Sequence, residues 1–175
     1  MAKHRLRLDE ARSKVMIHGR ATGHRFHTTF SGLKGTLEFS ESYGEFLSAT
    51  FSLPMGKADA GDFLRTTQIK RFLDPRSFPE TTFHIEKLSP HSSRSFEELL
   101  EREEEVEAEV HGSLSYRGQT VALTTQARGS LSKTRGLRAQ CSFKFDIRKL
   151  GIEPPGFLFL KVNPEVEIEV ELFGS

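Results

Sequence analysis

The sequence predicts an all-β chain closed into one antiparallel barrel or sandwich. Three observations carry that expectation. Apolar and polar residues alternate with a period of two along most of the 175 residues, short glycine-bearing polar stretches separate the alternating segments, and only two stretches carry helical signals. The clearest alternation is VEIEVEL at 166–172, where Val166, Ile168, Val170 and Leu172 share one face and Glu167, Glu169 and Glu171 the other. One face is set for a core and the other for water.

Along the chain the strand candidates are HRLRL (4–8), SKVMIH (13–18), HRFHTTF (24–30), TLEF (36–39), FLSATFSL (46–53), TTFHIEKL (81–88), VEAEVHGSLSY (106–116), QTVALTTQA (119–127), LRAQCSFKFDI (137–147), FLFLKV (157–162) and the closing VEIEVEL. The stretches SGLKG, SESYG, YRGQT and GSLSKTRG read as turns between them, since glycine supplies backbone angles that other residues avoid. A helix is predicted over 60–73. A second is predicted over 95–105, with Ser95 as its cap and Glu97 and Glu98 near its positive end. Pro75 and Pro79 in RFLDPRSFPETTFHI then separate the first helix from the strand that follows, with Pro75 ending it.

With no repeat and no linker, residues 1–175 are expected to form a single domain large enough to bury a substantial core. An eight-stranded barrel is just wide enough to be filled by side chains or to hold one small ligand, and a sandwich has no such interior. Composition alone does not choose between them. Fifteen Phe with no Trp and two Tyr favour a greasy interior over a hydrogen-bonding one.

Charge is balanced, with 25 basic and 24 acidic side chains, so no global field favours nucleic acid or an anionic surface. The basic stretches GHRFH and SKTRGLR, interleaved with an aromatic, are read as a solvated surface and no nucleic-acid partner is expected. One cysteine, Cys141, excludes an internal disulfide. The amino-terminal MAKHRLRLDEAR has no apolar run after its charges, so a cytoplasmic location is expected unless a signal has been removed. FLSATFSLPMG falls far short of the roughly 18 apolar residues of a spanning helix, so no stable membrane insertion is expected.

No catalytic residues are assigned: there is no nucleophile–base motif, no paired carboxylates and no phosphate loop. No metal site is assigned either, because His24 and His27, three apart, fall on opposite faces of a strand. Cys141 alternates with Phe143 and Phe145 and reads as a small buried residue.

Five segments in order resemble the YceI-like family. Asp9-Glu-Ala-Arg-Ser13-Lys-Val15-Met-Ile17 resembles its opening, and Phe30-Ser-Gly32-Leu-Lys-Gly35-Thr-Leu37-Glu-Phe39 is similar to its second signature, a hairpin. Phe72-Leu-Asp74-Pro-Arg-Ser-Phe78-Pro79-Glu-Thr-Thr-Phe83 resembles its FFD segment, and Val110-His-Gly112-Ser-Leu114-Ser-Tyr-Arg-Gly118 a further hairpin. Arg148-Lys-Leu-Gly151-Ile152 followed by the closing strand completes the set. Arg12 stands where the family usually has His, and Asp62, Arg65 and Arg71 only approximate its Arg–Asp pair.

The resemblance implies an extended, lipocalin-like antiparallel barrel of eight strands, with the one or two short helices near its mouth. It further implies a long polyisoprenoid or related amphiphilic lipid held as ligand in an apolar cavity, with no other cofactor, often by a homodimer. On that reading Phe26, Phe30, Leu37, Phe39, Phe51, Phe83, Phe143 and Phe145 line the cavity from the strands. Ile69, Phe72 and Phe78 close its opening, and Arg65, Lys70 and Arg71 meet a polar head group. Taken one at a time, the strand residues among them read first as core packing, and ligand contact comes second. The alternative function is a solid-cored barrel acting as an interaction or stress-associated module.

Overall fold

The structure, a computed structural model, describes residues 3–40, 45–92, 94, 96–154, 156–157 and 160–175. Its strands are β1 (Lys3–Arg7), β2 (Lys14–Ala21), β3 (His24–Ser31), β4 (Lys34–Ser40), β5 (Phe46–Pro54), β6 (Ala58–Asp59), β7 (Glu80–Pro90), β8 (Val106–Tyr116), β9 (Gln119–Ser132), β10 (Gly136–Asp146), β11 (Gly156–Phe157), β12 (Leu160–Lys161) and β13 (Glu165–Gly174). Two helices, α1 (Phe63–Leu73) and α2 (Phe96–Arg102), interrupt them.

Eleven strands form one antiparallel sheet in the order β1-β4-β5-β7-β8-β9-β10-β13-β2-β3-β6. The excess over the eight expected comes from three interruptions. β1 and β2 are one run broken at Asp9–Ser13, β3 and β4 one run broken at Gly32–Leu33, and β5 and β6 one run broken by the 3-10 turn Met55–Lys57, each pair keeping its partners across the break. The sheet closes where Leu8 bridges Gly174, with Arg7 N–H to Ser175 O at 2.8 Å and Asp9 N–H to Phe173 O at 2.7 Å. Closure here removes most of the exposed edges that an open sheet must protect.

The first break shows what the Asp9…Ser13 spacing does. Asp9 O accepts from Arg12 N–H (3.2 Å) and Ser13 N–H (2.9 Å), making a tight corner. The buried Ser13 hydroxyl then donates to Phe173 O (3.1 Å) and accepts from Phe173 N–H (3.0 Å). A side chain thus stands in for the ladder bonds that the corner removes. The Arg12 guanidinium lies 4.1 Å from the Phe173 ring centroid and covers the same corner.

The second break corrects the expectation of a hairpin at SGLKG. β3 and β4 do not pair with each other; Gly32, at φ +78°, lets one strand bend and continue. Three further expectations change. FLFLKV is not a barrel strand: β11 and β12 form a separate two-stranded hairpin, with Leu158 and Phe159 outside the described residues. β9 continues to Ser132, so the turn narrows to Lys133–Arg135. β6 was not legible as a strand because it is two residues long.

The helix predicted over 60–73 occupies Phe63–Leu73. Asp62 caps it by accepting from Arg65 N–H at 2.8 Å. It ends at Asp74, whose left-handed backbone (φ 47°) lets its N–H reach Lys70 O, one residue before Pro75 takes effect. The second helix covers Phe96–Arg102 of the predicted 95–105, and Ser95, its expected cap, lies outside the described residues.

The tip of the β8–β9 turn holds α1 in place. Arg117 donates to Phe72 O (2.6 Å) and Leu73 O (3.2 Å), the Tyr116 hydroxyl donates to Leu73 O (3.1 Å), and the Arg117 guanidinium lies 4.8 Å from the Phe78 ring centroid. These charge-assisted bonds satisfy carbonyls left over at the helix end. Arg117→Met, which keeps the stem and removes the donors, is expected to cost about 1.5–3 kcal/mol. Amide exchange should rise in α1 before it rises in β8; uniform exchange would show that the clamp does not hold the helix.

Candidate ligand cavity

Inward-facing residues of nearly every strand leave a cavity of about 380 Å³ along the barrel, within the roughly 300–1,000 Å³ range of small-molecule sites. The interior is therefore not filled by side chains. One end is closed by Ile69, Phe72 and Leu73 of α1 and by Leu150 and Ile152, and the other reaches Leu99 of α2 and Val106. Space arises partly because the ladder between β9 and β10 stops at Ala127 and Cys141. Beyond that point Leu123 and Thr125 on one strand and Phe143 and Phe145 on the other part company, and all four face the cavity.

Three glycines make further room. Within the strands, Gly19, Gly35 and Gly112 face inward, and an aromatic ring lies against the bare backbone of each. A Cβ at Gly19 would stand 2.6 Å from Phe26 Cε2, at Gly35 2.6 Å from Phe51 Cδ1, and at Gly112 2.8 Å from Phe83 Cζ. At Gly35 and Gly112 it would also overlap a backbone oxygen, of Thr50 and His84 respectively. All three rings line the cavity. Glycine here lets each ring lie flat along the wall instead of standing into the lumen, the arrangement by which aromatics shield strand glycines. Two of these glycines, Gly35 and Gly112, belong to the quoted signatures, but the sequence reading took glycine only as a turn residue.

Of the residues singled out from sequence, Phe26, Phe30, Leu37, Phe39, Phe51, Ile69, Phe72, Phe83, Phe143 and Phe145 line the cavity. Phe78 does not: it packs edge-on against Tyr116 (centroids 6.2 Å) beneath Arg117. Arg65, Lys70 and Arg71 are also absent from the lining. Arg65 pairs with Asp62 at 3.4 Å, and Arg71 is exposed on α1.

Sequence reasoning missed the polar members of the lining, among them Glu104 and Arg128 and the buried threonines Thr28 and Thr125. Thr28 on β3 and Thr125 on β9 are 4% and 8% exposed and line the cavity, and neither hydroxyl has a protein hydrogen-bond partner among the described residues. Their inward alternation with Phe26, Phe30, Leu123 and Ala127 was the available signal.

Cys141 also faces the cavity, and burial pushes its thiol up to about 11. At pH 8 this leaves about a hundredfold less thiolate than an ordinary cysteine carries, so a charged disulfide reagent should react about that much more slowly with native than with unfolded protein. Because the folded value is raised, the stability the neutral thiol contributes is present below about 9 and is lost as pH rises towards 11. Equal rates in the two states would show an open cavity wall at β10.

Opposite α1, the motif Arg148–Ile152 forms the rest of the plug. The Arg148 side chain and backbone N–H hold the Asp146 carboxylate down to about 2, Gly151 caps the 3-10 turn Ile147–Leu150 at φ 72°, and Leu150 and Ile152 point into the cavity. This element, the Asp9–Ser13 corner, the Gly35 and Gly112 contacts and the Phe72–Asp74 helix end make one set, and the model of the YceI-like domain matches residues 6–173. The chain belongs to the YceI-like family.

Solved structures agree on the fold. This YceI-like chain is similar to a polyisoprenoid binding domain from Saccharophagus degradans, with a TM-score of 0.73, 12% identity and 97% of each chain covered. It is also similar to BcnA of Burkholderia cenocepacia (0.72, 17% identity, 94% of this chain and 98% of that one). A third likeness is the YceI protein of Campylobacter jejuni (0.62, 11% identity, 85% and 82%). No curated protein sequence matches the chain. Among the described residues no helix is long and apolar enough to cross a membrane.

Proposed function

We propose that this YceI-like protein binds one chain-like amphiphilic lipid, of isoprenoid type, inside the barrel, and sequesters or carries it without altering it. The observation that carries this reading is a cavity running from α1 to α2 whose lining is almost entirely aliphatic and aromatic. A polyisoprenoid needs little else from a protein. Each methylene buried contributes about 0.8 kcal/mol, so a long tail gains affinity without directed polar contacts. The hydroxyls of Thr28 and Thr125, without a protein partner among the described residues, offer polar contacts that can fix where a hydrogen-bonding group of the lipid lies.

The cavity itself speaks against the solid-core alternative. An apolar space of about 380 Å³ leaves its lining side chains without packing partners on one side, and an apolar ligand would supply them. The relative from Saccharophagus degradans, described as a polyisoprenoid binding domain, supports the ligand class.

Native mass spectrometry and solvent extraction of the purified protein test the reading. A stoichiometric lipid mass and a thermal midpoint that rises when a prenyl alcohol is added are expected. Protein that carries no lipid and shows no shift with prenyl alcohols or fatty acids would overturn it.

A further inference from the structure

We propose that the outer face of α1 is a docking surface for an anionic lipid bilayer. The helix has two faces with different work. Its inner face supplies Ile69, Phe72 and Leu73 to the cavity. Its outer face opens with Phe63 and Leu64, which are 88% and 67% exposed and, among the described residues, far exceed the next exposed large apolar side chain, Leu47 at 38%. Helical spacing carries that outer face on through Thr67 to Arg71, with Lys70 at its flank.

Burial cannot account for this pair. Phe63 and Leu64 are adjacent, open the helix and touch no core, so water bears their apolar surface in the free protein. Beside them Asp62 is matched by Arg65, with Asp59 just before the helix, and the unpaired charge that selects the occupant lies further along α1. α1 carries Arg65, Lys70 and Arg71 and no acidic residue, and among the described residues neither Lys70 nor Arg71 has an acidic partner within ion-pair distance. An apolar tip followed about two turns on by unpaired cations suits the boundary between acyl chains and anionic head groups, with Phe63 and Leu64 below the head groups and Lys70 and Arg71 reaching them from the far end of the helix. A second copy of the chain would use Phe63 and Leu64 but leave the cations of Lys70 and Arg71, about two turns further along the same helix, without a counter-charge.

Position gives the docking its use. The helix that would meet the bilayer is the one that closes the cavity, so a lipid passing between bilayer and barrel need not cross water. This last step rests on the lipid-binding reading; the docking surface does not.

Co-sedimentation with vesicles of phosphatidylcholine alone, and of phosphatidylcholine mixed with phosphatidylglycerol, tests the proposal on the whole chain. The protein should bind the mixed vesicles in preference, and less as salt is raised. The double variant Phe63→Ser/Leu64→Ser should weaken that binding at least about tenfold, and Lys70→Glu/Arg71→Glu should abolish the preference for phosphatidylglycerol. The Phe63/Leu64 variant should keep the parent's thermal midpoint and extracted lipid mass, since both side chains lie outside the cavity lining. Absence of vesicle binding by the parent, or unchanged binding by the Phe63/Leu64 variant, would overturn the proposal. So would self-association of the parent that this variant abolishes, which would assign the face to a second copy. A lipid mass without vesicle binding defeats only the docking surface, and vesicle binding by a barrel that takes up no lipid defeats only the cavity reading.

Discussion

Phe143→Asp should lower the stability of the barrel by at least about 3 kcal/mol and abolish lipid uptake in whatever fraction still folds. Phe143 sits opposite Ile168 of β13, on the stretch of β10 that β9 no longer accompanies, and its ring forms the wall there. Removing a large aromatic from such a site costs about 3–5 kcal/mol before any charge is counted. The carboxylate adds a group with no cation on the facing wall positions Leu123, Thr125 and Ile168. Its pKa in the folded state will be raised, so the variant should recover part of its stability as pH falls below the folded value and lose it as pH rises. Urea denaturation at pH 5 and pH 8 measures both effects. A midpoint equal to the parent's at both values would mean that residue 143 faces water and that the inward face of β10 is wrongly assigned. Phe143→Leu, which keeps an apolar wall, should retain the fold and some uptake.

Gly112→Ala should cost about 1–3 kcal/mol and reduce the lipid capacity of the cavity, though it adds a single methyl group. The new Cβ overlaps the backbone oxygen of His84 and forces the Phe83 ring, 2.8 Å away, off the wall. A ring displaced inward takes volume from the lumen, so the loss of lipid affinity should exceed what the loss of stability explains. Gly19→Ala provides the internal comparison. There the three nearest atoms all belong to the Phe26 ring, so only a side chain must move, and Phe26→Leu should rescue it. The same kind of rescue by Phe83→Leu at Gly112 should be partial, because the His84 carbonyl remains. Equal midpoints and equal uptake for Gly112→Ala and the parent would remove the argument that these glycines open the cavity.

These two sites also show what was legible beforehand. Phe143 could be placed on an inward face from alternation alone, because a strand's side-chain period is two whatever its neighbours are. The same rule placed Phe26, Phe51 and Phe83. It could not show that glycines lay beneath those rings, since Gly35 and Gly112 acquire their meaning from the strand across the ladder. Phe78 and the cations Arg65, Lys70 and Arg71, expected at the mouth, stand on or beside α1 but outside the cavity lining. Phe78 went to Tyr116 and Arg117 because the β8–β9 turn reaches α1 there, 38 or more residues further along the chain.

The stretch 31–35 is the sharpest case of local ambiguity. Ser-Gly-Leu-Lys-Gly between two alternating segments carries the same signal whether the chain reverses or bends. Gly32 supplies the positive φ either way, and β3 runs on into β4 only because β2 and β1 lie beside them as one bent run.

The sequence by itself determined that this chain is all-β, where nearly every strand lies and which side chains of each face inward, because these depend on the two-residue period of an extended backbone. It also carried enough ordered motifs to be recognised as YceI-like. The tertiary structure alone decided that the ring of strands closes at Leu8 and Gly174, that β9 and β10 part at Ala127 and Cys141, and that α1 turns Ile69 and Phe72 inward and Phe63 and Leu64 out. Those outcomes depend on how strands distant in sequence share hydrogen bonds and volume, and no local pattern encodes how much space is left between them.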